Sequence, residues 1–485
     1  MRYYFPVFTL LGGTLMLFGA AMLVPLGFAI VGGDGAVTVY DEAIAITFAT
    51  GALLFFGCRN ESRELRPRDG FLLVTLVWVV LPAFGTLPLL LYIPDLSFTK
   101  AYFEAVSGMT TTGATVLTGL DALPPSINVW RCLMILIGGM GILVLAVAIL
   151  PLLGVGGSQI FKAETPGPMK DEKLTPRITS TARGLWAVYF LISTACMIGF
   201  WWAGMSWTDA FMHMCSTMGL GGFAAYDASF GAFDSPAIEA VAIVFMLIAG
   251  VNFSLYFLVI KQRSLRPLLR DIEARSYFIL MVVSVLVVAV FLWAEGVYPE
   301  FMTALRHAAF NVVSVATTTG FTSVDYAQWP MFAPVFMLLL CCFATCAGST
   351  GGGIKLIRAI LLVKQAGREL KRILYRRAII PVRLGETVVA NEVLFSILAF
   401  MLMYGAVIIV ATMLLLLSGL DVITSFTGVI ACINNTGPGL GQVGPAGNFK
   451  DLSDFQTWVL TATMLLGRLE LFSILVLFTR DFWRD

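Results

Sequence analysis

Apolar runs of two lengths alternate along the 485-residue chain. A membrane-spanning helix needs about 20 mostly apolar residues. Ten runs reach that length, at about 4–31, 39–58, 71–93, 128–155, 184–204, 235–260, 276–295, 331–363, 389–419 and 454–480. Four shorter runs, about 99–112, 207–218, 300–318 and 421–435, lie between the later pairs. These are too short to span, and each ends in a turn that carries glycine. The pattern predicts an all-α polytopic membrane protein. Two N-terminal helices occupy 1–70. Four pseudo-repeated units of helix, half-helix, turn and helix follow, over 71–160, 161–265, 266–385 and 386–485.

Two of the turns are written almost identically. Phe103–Gly113 reads FEAVSGMTTTG and Phe310–Gly320 reads FNVVSVATTTG, with seven of eleven positions the same. GGFAAYD (Gly221–Asp227) aligns with TGFTSVD (Thr319–Asp325), which makes Gly222 the turn glycine of the second unit; Gly219 is a rival register. The choice of Gly222 sets Ser216 six residues before it, matching Ser107 and Ser314. CINNTG (Cys432–Gly437) supplies the fourth turn, with Ala431 at that place and Pro438 after the glycine. Irregular backbone at membrane depth is tolerated only where it is buried in protein or lines a water-filled path. Glycine permits the positive φ that such a turn needs. A row of backbone carbonyls there can replace the water shell of a cation. The plainer reading, a packing coincidence between two amphipathic helices, does not account for four turns in register.

Composition agrees with a membrane protein: 58% of residues are hydrophobic and 13% charged, against about 45–50% and about 25% in soluble domains. The net charge of +1 points to no nucleic-acid partner. The eight cysteines lie in or beside apolar runs without metal-ligand spacing, and read as small apolar residues. The first apolar run is too long for a signal-peptide core and reads as the first span. With a cytoplasmic N-terminus, segments 1–3, 59–70, 156–183, 261–275, 355–388 and 480–485 hold 26 of the 31 Lys and Arg. Inside loops carry such an excess. Both termini then lie in the cytoplasm, and all four turns enter from outside. The C-terminal ends of the half-helices point to the membrane centre and carry partial negative charge. Four such ends around one axis favour a cation.

The four units, the TTTG turns, GLGGF at Gly219–Phe223 and NNTG at Asn434–Gly437 resemble the Trk/Ktr/HKT superfamily of potassium transporters. The two leading helices and GRLELF at Gly467–Phe472 are most similar to the membrane subunit of bacterial Trk systems. The resemblance covers essentially the whole chain. It implies K+ uptake across the bacterial inner membrane through a channel-like pore in each subunit, with K+ as the transported ion and no permanently bound cofactor. It implies a homodimer in the lipid bilayer and a cytosolic TrkA-like regulator that binds NAD or ATP. It implies a selectivity filter whose carbonyls precede each turn glycine. Carried onto this chain, the filter is Thr111, Thr112 and Gly113; Leu220, Gly221 and Gly222; Thr318, Thr319 and Gly320; Asn435, Thr436 and Gly437.

Ala347, Gly348, Ser349, Thr350, Gly351, Gly352 and Gly353 interrupt the eighth run. Each glycine costs about 1 kcal/mol against alanine inside a helix, so the helix should break there. The resemblance implies a flexible intramembrane gate below the filter; the plainer reading is a kink for close packing. GSTGGGIK mimics a phosphate-binding loop, but Ile354 separates Gly353 from Lys355 and the pattern fails. Gly439–Gly444 matches GxGxxG without a preceding strand, so nucleotide binding is discarded. Arg468 sits near the middle of the last run, about 20 Å from water by either route at 1.5 Å per residue. An ionisable residue at that depth is a functional candidate, and the resemblance places it beside the pore and the gate. The alternative is an ion pair with Glu470, although residues two apart face different sides of a helix.

Glu104, His213 and Asn311 share the position nine before the turn glycine, where the fourth unit has Gly428. Bonds from half-helix to neighbour suit them better than ion binding. Asp227 and Asp325, just outside the turns, either attract cations or cap a turn. Nine basic residues over 355–388, Arg372, Arg376 and Arg377 among them, suit the inner face and lipid headgroups, and offer a docking surface for the regulator. Two other classes are weighed against conduction. A secondary transporter coupling K+ to H+ or Na+ finds few carboxylates in the spans for a proton relay. An enzyme finds no catalytic dyad, metal cluster or nucleotide motif.

Overall fold

The computed structural model describes residues 4–59, 66–144, 178–385 and 387–484. Phe5–Ala21, continued by Leu23–Gly32, packs on Val37–Cys58 to form the N-terminal pair. They cross where glycine faces glycine. A Cβ on Gly12 would lie 2.6 Å from the Gly51 carbonyl oxygen, and one on Gly51 would lie 2.9 Å from that of Gly12. Small residues permit this approach, and in lipid it is close van der Waals packing that joins helices.

The half-helices of the four units are Phe98–Met109, Trp207–Gly219, Phe301–Ala316 and Val422–Ile433. Ser97, Ser206 and Asp421 cap the first, second and fourth by accepting from the N–H groups of Lys100, Asp209 and Thr424. Short polar side chains are favoured there because the first N–H groups of a helix have no partner within it. Each half-helix packs between the two flanking helices of its own unit and against the closing helix of the preceding one. Phe98–Met109 touches Asp454–Arg468, and Trp207–Gly219 touches Pro125–Val144. Phe301–Ala316 touches Pro236–Ala249, and Val422–Ile433 touches Phe332–Cys341. The order closes on itself, so the units form a ring. The span Pro125–Leu143 is 78% buried, while the six other unbroken spans bury 22–33%. It is enclosed by the ring; the others turn a broad face outward.

Among the described residues seven helices are long and apolar enough to cross a membrane unbroken. The other three predicted spans are broken. The sixth bends by 89° between Pro236–Ala249 and Phe253–Gln262, and the last by 105° between Asp454–Arg468 and Phe472–Phe478. The eighth is helical over Phe332–Cys341 and resumes only at Leu356–Leu374. Breaks at this depth require new partners for the freed backbone groups. At the sixth span the Gly250 carbonyl accepts from the Cys346 N–H at 3.1 Å, and Asn252 caps the next helix through Ser254 at 2.9 Å. A small antiparallel pairing of Arg383–Leu384 with Thr387–Val388 supplies the only strands among the described residues. The predicted end of the fourth span at 145–155, the basic segment 156–177 and residues 60–65 lie outside the described residues.

Candidate functional site: a ring of four turns above an intramembrane loop

Two residues before each turn glycine, Thr111, Leu220, Thr318 and Asn435 have φ of 54, 53, 63 and 54°. None is glycine, so this left-handed backbone is unfavourable and persists only where its surroundings fix it. One such restraint recurs in all four units. The N–H just before the glycine donates to the carbonyl six before it. Thr112 donates to Ser107 at 2.8 Å, Gly221 to Ser216 at 3.0 Å, Thr319 to Ser314 at 2.8 Å and Thr436 to Ala431 at 2.8 Å. The repetition fits Gly222 as the second turn glycine; Gly219 instead closes the half-helix.

The glycines stand where no side chain fits. A Cβ on Gly113 would lie 2.5 Å from the Gly222 nitrogen, and one on Gly222 would lie 2.6 Å from the Thr319 oxygen. A Cβ on Gly320 would collide with the Thr436 oxygen, and one on Gly437 would lie 2.8 Å from the Thr112 oxygen. Each turn leans on the next and the fourth leans on the first. Asn435 adds a tie between them, donating to Thr112 Oγ1 and to the Met464 carbonyl, each at 3.0 Å. All four glycines line one recess of about 80 Å³. Thr110–Thr112, Thr317–Thr319 and Asn434–Thr436 are wholly buried. Among the described residues no group of three His, Cys, Asp or Glu could hold a metal ion. The four turns carry no charged side chain of their own, so what they can present to an ion is carbonyl and hydroxyl oxygen.

The polar residues behind the turns bond within the protein. Glu104 pairs with Arg131 at 2.8 Å and accepts from the Val116 N–H at 2.9 Å. Asn311 accepts from the Ser323 N–H at 3.3 Å. His213 Nδ1 lies 2.8 Å from the Asp209 carbonyl. Asp227 accepts from the N–H groups of Gly119 and Leu120 at 2.8 and 3.0 Å, and Asp325 from that of Ala327 at 3.2 Å. Both aspartates cap turns.

The loop between Cys342 and Lys355 passes against the third and fourth turns. The Gly352 N–H donates to Thr318 Oγ1 at 2.9 Å, and a Cβ on Gly352 would collide with the Asn434 oxygen. Arg468 donates to the carbonyls of Thr350 at 2.9 Å and Gly138 at 3.1 Å. Lys355 Nζ meets the Gly351 carbonyl. Glu273 accepts from the N–H groups of Ala347 and Ile357 at 2.8 and 3.1 Å. The helix breaks at Cys342, before the predicted Ala347, and the groups freed there find other partners: the carbonyls of Cys342 and Thr345 accept from the N–H groups of Ile354 and Leu356 at 2.7 and 2.8 Å, and the Cys346 N–H donates to Gly250 at 3.1 Å. The alternative pairing of Arg468 with Glu470 is not formed. The chain bends directly after Arg468, with φ of 53 and 54° at Glu470 and Leu471, and Glu470 pairs with Arg358 at 2.7 Å.

Arg131, Glu273 and Arg358 escaped the sequence reading as site residues. Arg131 carried a signal, as one of five basic residues outside the inner segments and alone in an apolar run. The other two sit at helix starts, where a charge is ordinary.

The TrkH family, described as cation transport proteins, matches residues 38–484. The chain is 44% identical over 477 residues to the Trk system potassium uptake protein TrkH of Salmonella typhimurium, covering 98% of each. It is 43% identical over 479 residues to the TrkH of Halomonas elongata, covering 99% of each. The crystal structure of the potassium transporter TrkH from Vibrio parahaemolyticus matches with a TM-score of 0.92 at 40% identity, over 100% of both chains.

Proposed function

We propose, given that this chain belongs to the TrkH family of cation transport proteins, that it takes up K+ across the bacterial inner membrane through a channel-like pore. The four units over 71–160, 161–265, 266–385 and 386–485 surround that pore, with both termini in the cytoplasm. The selecting oxygens belong to Thr111 and Thr112, Leu220 and Gly221, Thr318 and Thr319, and Asn435 and Thr436. One observation carries this reading: four turns share one backbone bond and close into a ring on their glycines. A cation entering the ring exchanges water for carbonyl oxygens, and the half-helix ends offset its charge.

Ala347–Gly353 is the gate, lying against the inner side of the third and fourth turns. Arg468 holds it there through Thr350. The fixed charge of Arg468 also opposes K+. Two unit charges about 8 Å apart interact by roughly 2 kcal/mol at an effective ε of 20. Opening requires the bonds of Arg468 to Thr350 and of Gly352 to Thr318 to break. A cytosolic nucleotide-binding regulator, docking on the basic surface over 355–388, supplies that work, and the chain acts as a homodimer.

Cation-resolved flux in liposomes tests the reading, with K+, Rb+, Na+ and Li+ compared at fixed voltage. K+ and Rb+ should pass well ahead of Na+ and Li+. Equal passage of all four would overturn the filter. Flux that follows a proton or Na+ gradient at fixed voltage would replace conduction by coupled transport.

A further inference from the structure

The segments that leave the ring are clamped to the half-helices in three units, always through the N–H three residues after the turn glycine. Val116 donates to Glu104 at 2.9 Å, Ser323 to Asn311 at 3.3 Å and Leu440 to Thr427 Oγ1 at 2.8 Å. In the second unit the side chain at this place works otherwise. His213 occupies the position of Glu104 and Asn311, but its Nδ1 meets Asp209 in its own half-helix and its Nε2 is buried without a partner. The ring is wedged among Phe230, Phe233 and Tyr226.

The restraint on this second exit segment comes from the first unit. Arg131 lies on Pro125–Val144, the enclosed helix that packs on half-helix Trp207–Gly219. Its guanidinium donates to the Ala224 carbonyl at 3.3 Å and lies over the Phe223 ring, 4.4 Å from its centre. The remaining donors reach Glu104 at 2.8 Å, Asn128 Oδ1 at 3.0 Å and Thr115 Oγ1 at 3.2 Å. Arg131 and Glu104 are both at 0% exposure, and Arg131 lines the recess shared by the four turn glycines.

We infer that Arg131 is the positioning residue of the second turn and, paired with Glu104, fixes the spacing of the first two quarters of the ring. The inference rests on the filter reading above. K+ and Na+ carry the same charge and differ in size and in the field they need, so a carbonyl ring separates them only while its quarters keep their spacing. Gly113 and Gly222 touch at that seam. A guanidinium fork can hold a carboxylate and a carbonyl together, whereas an ammonium is a single compact charge. Glu104 also cancels the charge of Arg131, so the fork braces the mouth of the ring without repelling the cation.

The test is the K+/Na+ permeability ratio of the purified full chain in liposomes, read beside membrane yield. Arg131→Lys keeps a positive charge facing Glu104 but loses the fork, and should lower the ratio about threefold at unchanged yield. The double variant Glu104→Gln/Arg131→Met removes both buried charges, while the new amide oxygen still accepts from Val116. It should lower the ratio about tenfold, or about 1.4 kcal/mol. A merely structural pair would cost yield and leave the ratio alone. Gly113→Ser serves as the control for the filter itself. If Gly113→Ser lowers the ratio and both Arg131 variants keep the wild-type ratio in folded protein, the inference is overturned and the filter stands. If Gly113→Ser leaves the ratio intact, both fall. Should the double variant not fold, Arg131→Lys alone decides.

Discussion

The ring of turns and the loop over 342–355 touch at Thr318 and Asn434, and both are rich in glycine. The ring is built four times and closes on itself; the loop is built once, in the third unit. Each turn of the ring is tied by a backbone bond to its own half-helix, only a few residues back in the chain. The loop has bonds of its own, such as Thr345 Oγ1 to the Gly352 carbonyl at 2.7 Å, but it also depends on side chains from far away: Thr318, Glu273 and Arg468, on three other elements. A turn fixed by its own neighbours keeps its shape when helices move. A loop that also depends on distant partners loosens as those partners leave. Segments of the second kind open at lower cost, and moving parts are drawn from them. The contrast supports the division proposed above, with selection in the ring and gating in the loop.

The strongest test of that division is Gly113→Ser. It adds a side chain 2.5 Å from a neighbouring backbone nitrogen at a φ of 79°. The K+/Na+ ratio should fall by tenfold or more, about 1.4 kcal/mol, as read by cation-resolved flux; an unchanged ratio would take selection away from the ring. Deleting Gly351–Gly353 should act chiefly on the loop, although it also removes the Gly352–Thr318 bond. Basal K+ flux without the regulator should rise severalfold while the ratio holds, and flux at or below the intact level in folded protein would make the loop a packing kink. Arg468→Ala is milder, because the Gly352 and Glu273 bonds remain. Removing a charge that opposes K+ by roughly 2 kcal/mol should raise flux and weaken dependence on the regulator, with the ratio unchanged. Glu470→Ala should differ, since its carboxylate serves buried Arg358. Yield should drop and flux per folded molecule should not rise; identical behaviour of the two variants would revive an Arg468–Glu470 pair. The smallest effect belongs to Ala431→Ser. That position is fully buried and gives the fourth turn only its backbone carbonyl, so the added hydroxyl should cost about 1 kcal/mol of stability, measured by thermal melting in detergent.

Much of this was legible because it repeats. Periodic apolar length located the spans and half-helices, and the match of Phe223 with Phe321 and of Asp227 with Asp325 selected Gly222. The bends after Ala249 and Arg468 were not legible, because neither site holds proline and a local sequence does not reveal that a distant N–H or carbonyl will satisfy a broken turn of helix. The start of the break at Cys342 was hidden for the same reason: CCFATC is as apolar as a span. Leu220 in a left-handed conformation runs against its residue type, and only the alignment of the units points to it. The pairing of Glu470 with Arg358 joins two units, a distance of 112 positions that spacing rules do not reach.

The four turns belong to one chain, and that has a genetic consequence. In a ring assembled from identical subunits, one codon change alters every quarter at once. Here it alters a single quarter and leaves three intact. Leu220, the asparagine pair at 434–435 and Pro438 show that the quarters have already diverged. On the proposed filter, a substitution in one turn acts on ion preference through a single quarter, whereas the same change in a symmetric ring would act through all four.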